Sequence, residues 1–281
     1  MAKLKIFYCI KANFDYFCSK LPAWETDLHT MKILALIPAR YGSSRFPGKP
    51  LALVHGKPMI QRVYEQTIKA FPNACVATDD TRIYDAVKGF GGKVVMTSTS
   101  HNSGTDRCYE ALKNYTRESG ESFDVVINVQ GDEPYIQPEQ LMQLGRCFED
   151  PSVELATLVK RVKDKSELMN HNSPKVLVDK NSNAIYFSRT PVPFPRDIEI
   201  TDKYVQETPF YRHIGLYGYR AGTLGKICSM PQSFLEKTEK LEQLRWIENG
   251  LKIRVAETNF ETYAVDTVQD LEYINSKIDL I

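Results

Sequence analysis

The sequence predicts an α/β fold: a mostly parallel sheet flanked by helices, with an antiparallel addition in the second half. Three observations point there. Between Met31 and Asp150, short apolar runs alternate with stretches of helical spacing, the order that builds parallel strands joined by crossover helices. After Asp150 the strand-like runs follow one another without helical stretches between them. With 281 residues, 42% hydrophobic and 25% charged, the chain can bury a substantial core in one large α/β domain.

The elements follow in order. ILALI at 33–37 is a buried strand, and residues 57–70 carry apolar side chains at helical spacing. ACVAT is a strand, TRIYDAVKGF a helix ended by Gly91, and KVVMT a strand. Residues 106–115 are helical. DVVINVQGD is a strand running into a polar end, and PEQLMQLGRCFE is a helix that opens with proline. ELATLVKRV, PKVLVDKNSNAIYFSR and RHIGLYGYR are strand-like, with DKNSNA as a hairpin turn. They form an antiparallel insert over about residues 153–219. Residues 235–249 make one amphipathic helix closed by Gly250. KIRVAE returns as a strand and TVQDLEYINSKI closes the chain as a helix. Residues 31–281 therefore form a single domain. Residues 1–30, aromatic and lysine-rich without a clear period, fit no signal-peptide pattern and are expected to be a poorly ordered or loosely docked extension, or an upstream translation start.

Lysine plus arginine number 36 against 35 acidic residues, so a net charge of +1 makes no global case for nucleic acid or an anionic membrane. No apolar run approaches the length of a membrane span. The six cysteines form no C-x-x-C pair, and read as reduced thiols of a cytoplasmic protein. His55, His101, His171 and His213 are dispersed, without a zinc-site spacing.

Chemistry concentrates behind the first strand. IPARYGSSRFPGKPL places Arg40, Arg45 and Lys49 among Gly42, Gly48, Pro47 and Pro50, where a parallel sheet holds its ligands. Glycines let backbone N–H groups approach phosphate oxygens, arginine forks grip two oxygens at once, and prolines stiffen the loop. The pattern is neither a Walker A loop nor G-x-G-x-x-G. The bland alternative is a solvated basic loop. Asp132 in VQGDEP and Asp266 in YAVDT also follow apolar runs. Together they suit Mg²⁺, which takes one or two carboxylates and fills its shell with water and phosphate. Singly, each could be a turn residue or a helix N-cap.

IPARYGSSRFPGKPL, HNSGTDR, NVQGDEP, YFSR, RHIGLYGYR, LEQLR and YAVDT occur in the order found in 3-deoxy-manno-octulosonate (Kdo) cytidylyltransferases, and the chain resembles that family from Met31 onward. The resemblance implies transfer of CMP from CTP to Kdo with release of pyrophosphate, in a Mg²⁺-dependent cytoplasmic homodimer that serves lipopolysaccharide synthesis. The antiparallel insert then looks like the family's dimerisation segment. Arg40, Lys49, Asp132 and Asp266 resemble the catalytic set, with both aspartates as metal ligands. Arg40, Ser43, Arg45, Lys49, Arg107 and Gln130 resemble the nucleotide contacts. Arg189, His213, Tyr217, Glu242 and Gln243 resemble the Kdo contacts, with Arg189 pairing to the sugar carboxylate. His213 and Tyr217 could instead be core, and Glu242 and Gln243 the wet face of a helix. The alternatives are a CMP-sialic acid synthetase, an enzyme for a modified Kdo, or a catalytically silent nucleotide-binding regulator.

Overall fold

The computed structural model describes residues 31–42, 45–101 and 103–277. The expected extension 1–30 and Ser43 lie outside the described residues. A nine-stranded sheet runs through the described chain, built from strands β1 (Ile33–Ala39), β4 (Ala74–Thr78), β5 (Val94–Met96), β6 (Val125–Asn128), β7 (Leu155–Arg161), β8 (Lys175–Val178), β9 (Ala184–Ser188), β10 (Tyr211–Arg220) and β11 (Arg254–Glu257). Its main order is β11-β7-β10-β6-β1-β4-β5. The small hairpin β2 (Leu53–Val54) and β3 (Lys57–Pro58) stands apart.

Strand β1 is parallel to both β4 and β6, and β4 is parallel to β5. Helices α1 (Met59–Ala70), α2 (Thr81–Gly89), α3 (Gly104–Ser119) and α4 (Pro138–Arg146) alternate with these strands as the sequence predicts. The first begins two residues late because Lys57 and Pro58 pair with β2. Alternation along β1 feeds two cores: Ile33, Ala35, Ile37 and Ala39 pack with α1 and α4 residues, while Leu34 and Leu36 pack with Cys108, Ala111 and Leu112 of α3. A strand buried on both faces needs the continuous apolar run that ILALI supplies.

The second half differs from the expectation in two ways. Strands β7 and β10 pair antiparallel as expected, but inside the main sheet. They continue the main sheet, with β10 antiparallel to β6 and β7, and β7 parallel to β11. Only β8 and β9 leave the main path, as a ribbon antiparallel to β10. Two short helices, α5 (Lys165–Met169) and α6 (Asp202–Glu207), lie among these strands. The turn at DKNSNA does form: the Asp179 carboxylate accepts from the N–H groups of Asn181 and Asn183.

After β10 come α7 (Ala221–Cys228), α8 (Phe234–Glu239), α9 (Gln243–Glu248) and, after β11, α10 (Val268–Asn275). The single helix expected over 235–249 is thus two helices, broken where Lys240 takes φ +53°. Tertiary contacts hold the break. The Glu239 carboxylate accepts from Ser188 Oγ at 2.9 Å and from the backbone N–H of Arg189 at 3.0 Å, which anchors the end of α8 to the end of β9.

Candidate active site

A cavity of about 270 Å³ opens at the carboxyl ends of β1 and β6. Arg40, Arg45, Lys49, Arg107, Gln130, Asp132 and Asp266 all line it, so the structure brings together residues spread over most of the chain. Two glycines permit this approach. Gly48 has φ +72°, and a side chain there would meet the Tyr41 ring at 3.1 Å. At Gly131 a Cβ would lie 2.8 Å from the Pro38 carbonyl oxygen, so β6 can leave beside β1 only without one.

Lys49 begins a short 3₁₀ turn, Lys49–Leu51, and its ammonium donates to Asp132 Oδ2 at 2.8 Å and Asp266 Oδ1 at 3.2 Å. Arg45 reaches the same Asp266 oxygen at 3.2 Å. A backbone bond from Val265 N to Asp132 O at 2.9 Å ties the two acidic segments together. Asp266 does not cap α10; Thr267 does, accepting from Asp270 N through its hydroxyl. The Asp266 carboxylate is therefore available to the cavity. Beside it, burial and the neighbouring Asp132 charge push the Glu133 carboxyl up to about 8.

Among the described residues no group of three or more His, Cys, Asp or Glu side chains could hold a metal ion. Two carboxylates sharing one cation do fit Mg²⁺, whose remaining ligands are water and phosphate oxygens.

Arg107 lines the cavity, yet its guanidinium is committed. It donates to Asp79 at 2.7 Å and to Thr97 Oγ1 at 2.6 Å, joining the ends of β4 and β5 to α3. Gln130 donates to the Gly215 carbonyl at 2.8 Å, next to a register shift in β10. The lining residues that the sequence reading did not assign include His101, Ser103 and Gly104. HNSGTDR held the signal, since S-x-x-D marks a helix start. Ser103 Oγ accepts from Asp106 N and places the first turn of α3 in the wall. His101 pairs with Glu110.

The residues assigned to the sugar form a second, mostly neutral group. The His213 ring stands edge-on to Phe187 and 5.2 Å from the Tyr217 ring, which packs on Trp246. Although His213 keeps some exposed surface, its imidazole is enclosed, and burial, aided by Arg212, pushes it down to about 3. Thr157 Oγ1 lies 2.7 Å from the Leu216 carbonyl and 2.9 Å from His213 Nε2. The threonine hydroxyl thus bridges the β10 backbone and the imidazole.

Tyr217 and Gln243 are 8% and 4% exposed, and neither the tyrosine hydroxyl nor Gln243 Nε2 has a hydrogen-bond partner. Burial raises the Tyr217 hydroxyl well above its ordinary value, so it stays protonated. Glu242 accepts from Thr105 at 2.6 Å and Arg245 at 2.8 Å, while burial raises its carboxyl. Gln243 is thus no wet helical face. Arg189 stands apart from both groups. Its guanidinium donates to the carbonyl oxygens of Glu239, His171 and Lys240. It braces the break between α8 and α9; like His213, Tyr217, Glu242 and Gln243, it is not among the described residues that line the cavity.

The family model Cytidylyltransferase matches residues 34–253. A 3-deoxy-manno-octulosonate cytidylyltransferase of Parabacteroides distasonis is 54% identical over 246 residues, covering 86% of this chain and 96% of the relative. The chain belongs to the 3-deoxy-manno-octulosonate cytidylyltransferase family. A relative of the same name from Phocaeicola vulgatus is 57% identical over 244 residues, covering 86% of this chain and 95% of its own length. Among solved structures, a CMP:2-keto-3-deoxy-manno-octonic acid synthetase complexed with CTP superposes with TM-score 0.79 at 40% identity, covering 87% of this chain and 97% of that one. A 4-diphosphocytidyl-2C-methyl-D-erythritol synthase from Anaerococcus prevotii shares the fold alone, with TM-score 0.56 at 14% identity over 88% of this chain and 95% of that one.

Proposed function

We propose that this protein transfers the cytidylyl group of CTP to the anomeric hydroxyl of Kdo, forming CMP-Kdo and pyrophosphate for lipopolysaccharide synthesis. The observation that carries this reading is the convergence of Arg40, Arg45, Lys49, Asp132 and Asp266 on one cavity in a chain 54% identical to a Kdo cytidylyltransferase.

The sugar hydroxyl attacks the α-phosphorus, and the bond to the β-phosphate oxygen breaks in line. No protein nucleophile is needed; the chain aligns two substrates and offsets charge. Arg40, Arg45 and Lys49 hold the triphosphate. Asp132 and Asp266 would hold Mg²⁺, which when bound neutralises charge at the phosphate under attack. The unpartnered groups of Tyr217 and Gln243, with the His213 imidazole, orient the sugar hydroxyls. Because Arg189 is spent on three carbonyls, it serves the sugar by fixing the segment that carries Glu242 and Gln243.

No helix among the described residues is long and apolar enough to cross a membrane, in keeping with a cytoplasmic site of action. The working form is a homodimer joined through the β8–β9 ribbon and the loop after it, where Ile185, Phe194 and Ile198 are 54%, 79% and 52% exposed. Pyrophosphate release from CTP tests the reading, using Kdo and a panel of other 2-keto-3-deoxy acids. Kdo should give the highest kcat/KM. Release only with a sialic acid, or with no sugar acid, would overturn it.

A further inference from the structure

Lys49 makes the contacts that a divalent cation would make. Its ammonium lies 2.8 Å from Asp132 and 3.2 Å from Asp266, and the side chain is 16% exposed. The backbone beneath is fixed: Leu51 N bonds Gly48 O at 2.9 Å, Ala52 N bonds Lys49 O at 3.1 Å, and Pro50 is buried. Only the four-carbon stem is left to move. An ammonium is a compact charge with three rotatable donors, suited to exchanging one set of oxygens for another.

Two carboxylates held this close repel unless a cation lies between them. A divalent ion held by the same two carboxylates would share them with the ammonium, and neighbouring positive charges repel, so ion and ammonium compete for the pair. Resting on the reading of Asp132 and Asp266 as the metal pair, we propose that Lys49 is the resident counter-cation of that pair. It keeps the carboxylates together, is displaced when a divalent ion enters, and turns to the nucleotide phosphates that arrive with the ion. Arg45, also on Asp266, is 65% exposed and is a weaker competitor. The protein thereby disfavours divalent ions without nucleotide, and CTP lowers the barrier to metal entry by giving the ammonium another partner.

The test is Mn²⁺ titration of nucleotide-free protein, followed by electron paramagnetic resonance. Wild type should bind weakly. Lys49→Met should bind about tenfold more tightly or better, because a unit charge beside the site is gone. Lys49→Arg should stay weak, and adding Asp132→Asn to Lys49→Met should abolish the gain. Unchanged or weaker Mn²⁺ binding in a folded Lys49→Met protein overturns the proposal. The metal reading fails on different ground: Mn²⁺ that binds the CTP complex equally in wild type and Asp132→Asn would remove it. A measurement on the wild type covers a variant that does not fold. Saturating Mn²⁺ should raise the acetylation rate of Lys49 by acetic anhydride, and an unchanged rate would overturn the proposal as well.

Discussion

The charged residues that line the cavity and the buried polar group on β10 and α9 are built by opposite means. The wall after β1 and β6 is charged and partly open to solvent, and its groups satisfy one another: Lys49 with both aspartates, Arg45 with Asp266. The group on β10 and α9 is buried and largely neutral, and it leaves Tyr217 and Gln243 with unused hydrogen-bonding capacity. Charges exposed to water can exchange partners at modest cost, which suits a triphosphate arriving with a cation. Neutral polar groups buried without partners are costly until a ligand satisfies them, which suits discrimination among polyhydroxy acids. On the proposed function, binding strength and sugar selectivity fall to separate groups of residues.

The largest effect that tests this division is Asp132→Asn. Removing a charge contact made at the transition state is expected to lower kcat by about 10²–10³, with little change in the KM for Kdo. Steady-state kinetics on protein whose fold is checked by circular dichroism would decide. Near-normal turnover would break the assignment of the charged wall.

A middle-sized effect sharpens the reading of the buried group. Tyr217→Phe should lower kcat/KM for Kdo by about tenfold or more while CTP affinity holds. Its stability to urea should be unchanged or slightly higher, because the deleted hydroxyl has no partner in the fold. A clear loss of stability with unchanged Kdo kinetics would mean that Tyr217 is only core.

The smallest effect concerns pH. The His213 imidazole is held near 3 by burial, against an ordinary value near 6.5 when unfolded. The unfolded chain therefore takes up a proton below about pH 6.5 that the native state refuses. This contribution to stability is complete above that pH and is lost as pH falls toward 3. With His213 partly exposed, the slope should approach about 1 kcal/mol per pH unit between pH 6 and 4. His213→Gln should flatten that part of the profile in urea titrations at pH 7 and pH 5. An equal pH dependence in both proteins would place the imidazole in water.

Much of this was legible from residues alone. Period-2 and helical spacing depend on which faces are buried, so ILALI, ACVAT and DVVINVQ announce their strands, and the glycine, proline and cation content of 38–51 marks out a loop that lines the cavity. The motif order announces the family. Spacing along one segment carries no record of its distant partners. The amphipathic pattern over 235–249 is continuous, yet Glu239 is claimed by Ser188 and Arg189, and the helix breaks at Lys240. Arg189 has the charge to meet a carboxylate, and three carbonyls reach it first. His101 reads as a stray histidine until β5 and α3 place it beside the cavity. The sequence by itself determined the α/β alternation, the family and the chemical types gathered for the reaction. The tertiary structure alone decided that β7 and β10 are central strands, which charges face each other across the cavity, and which polar atoms are left unpaired. Local pattern is set by burial of neighbouring residues, whereas pairing between segments far apart in the chain is set by which backbone and side-chain groups meet when the sheet closes.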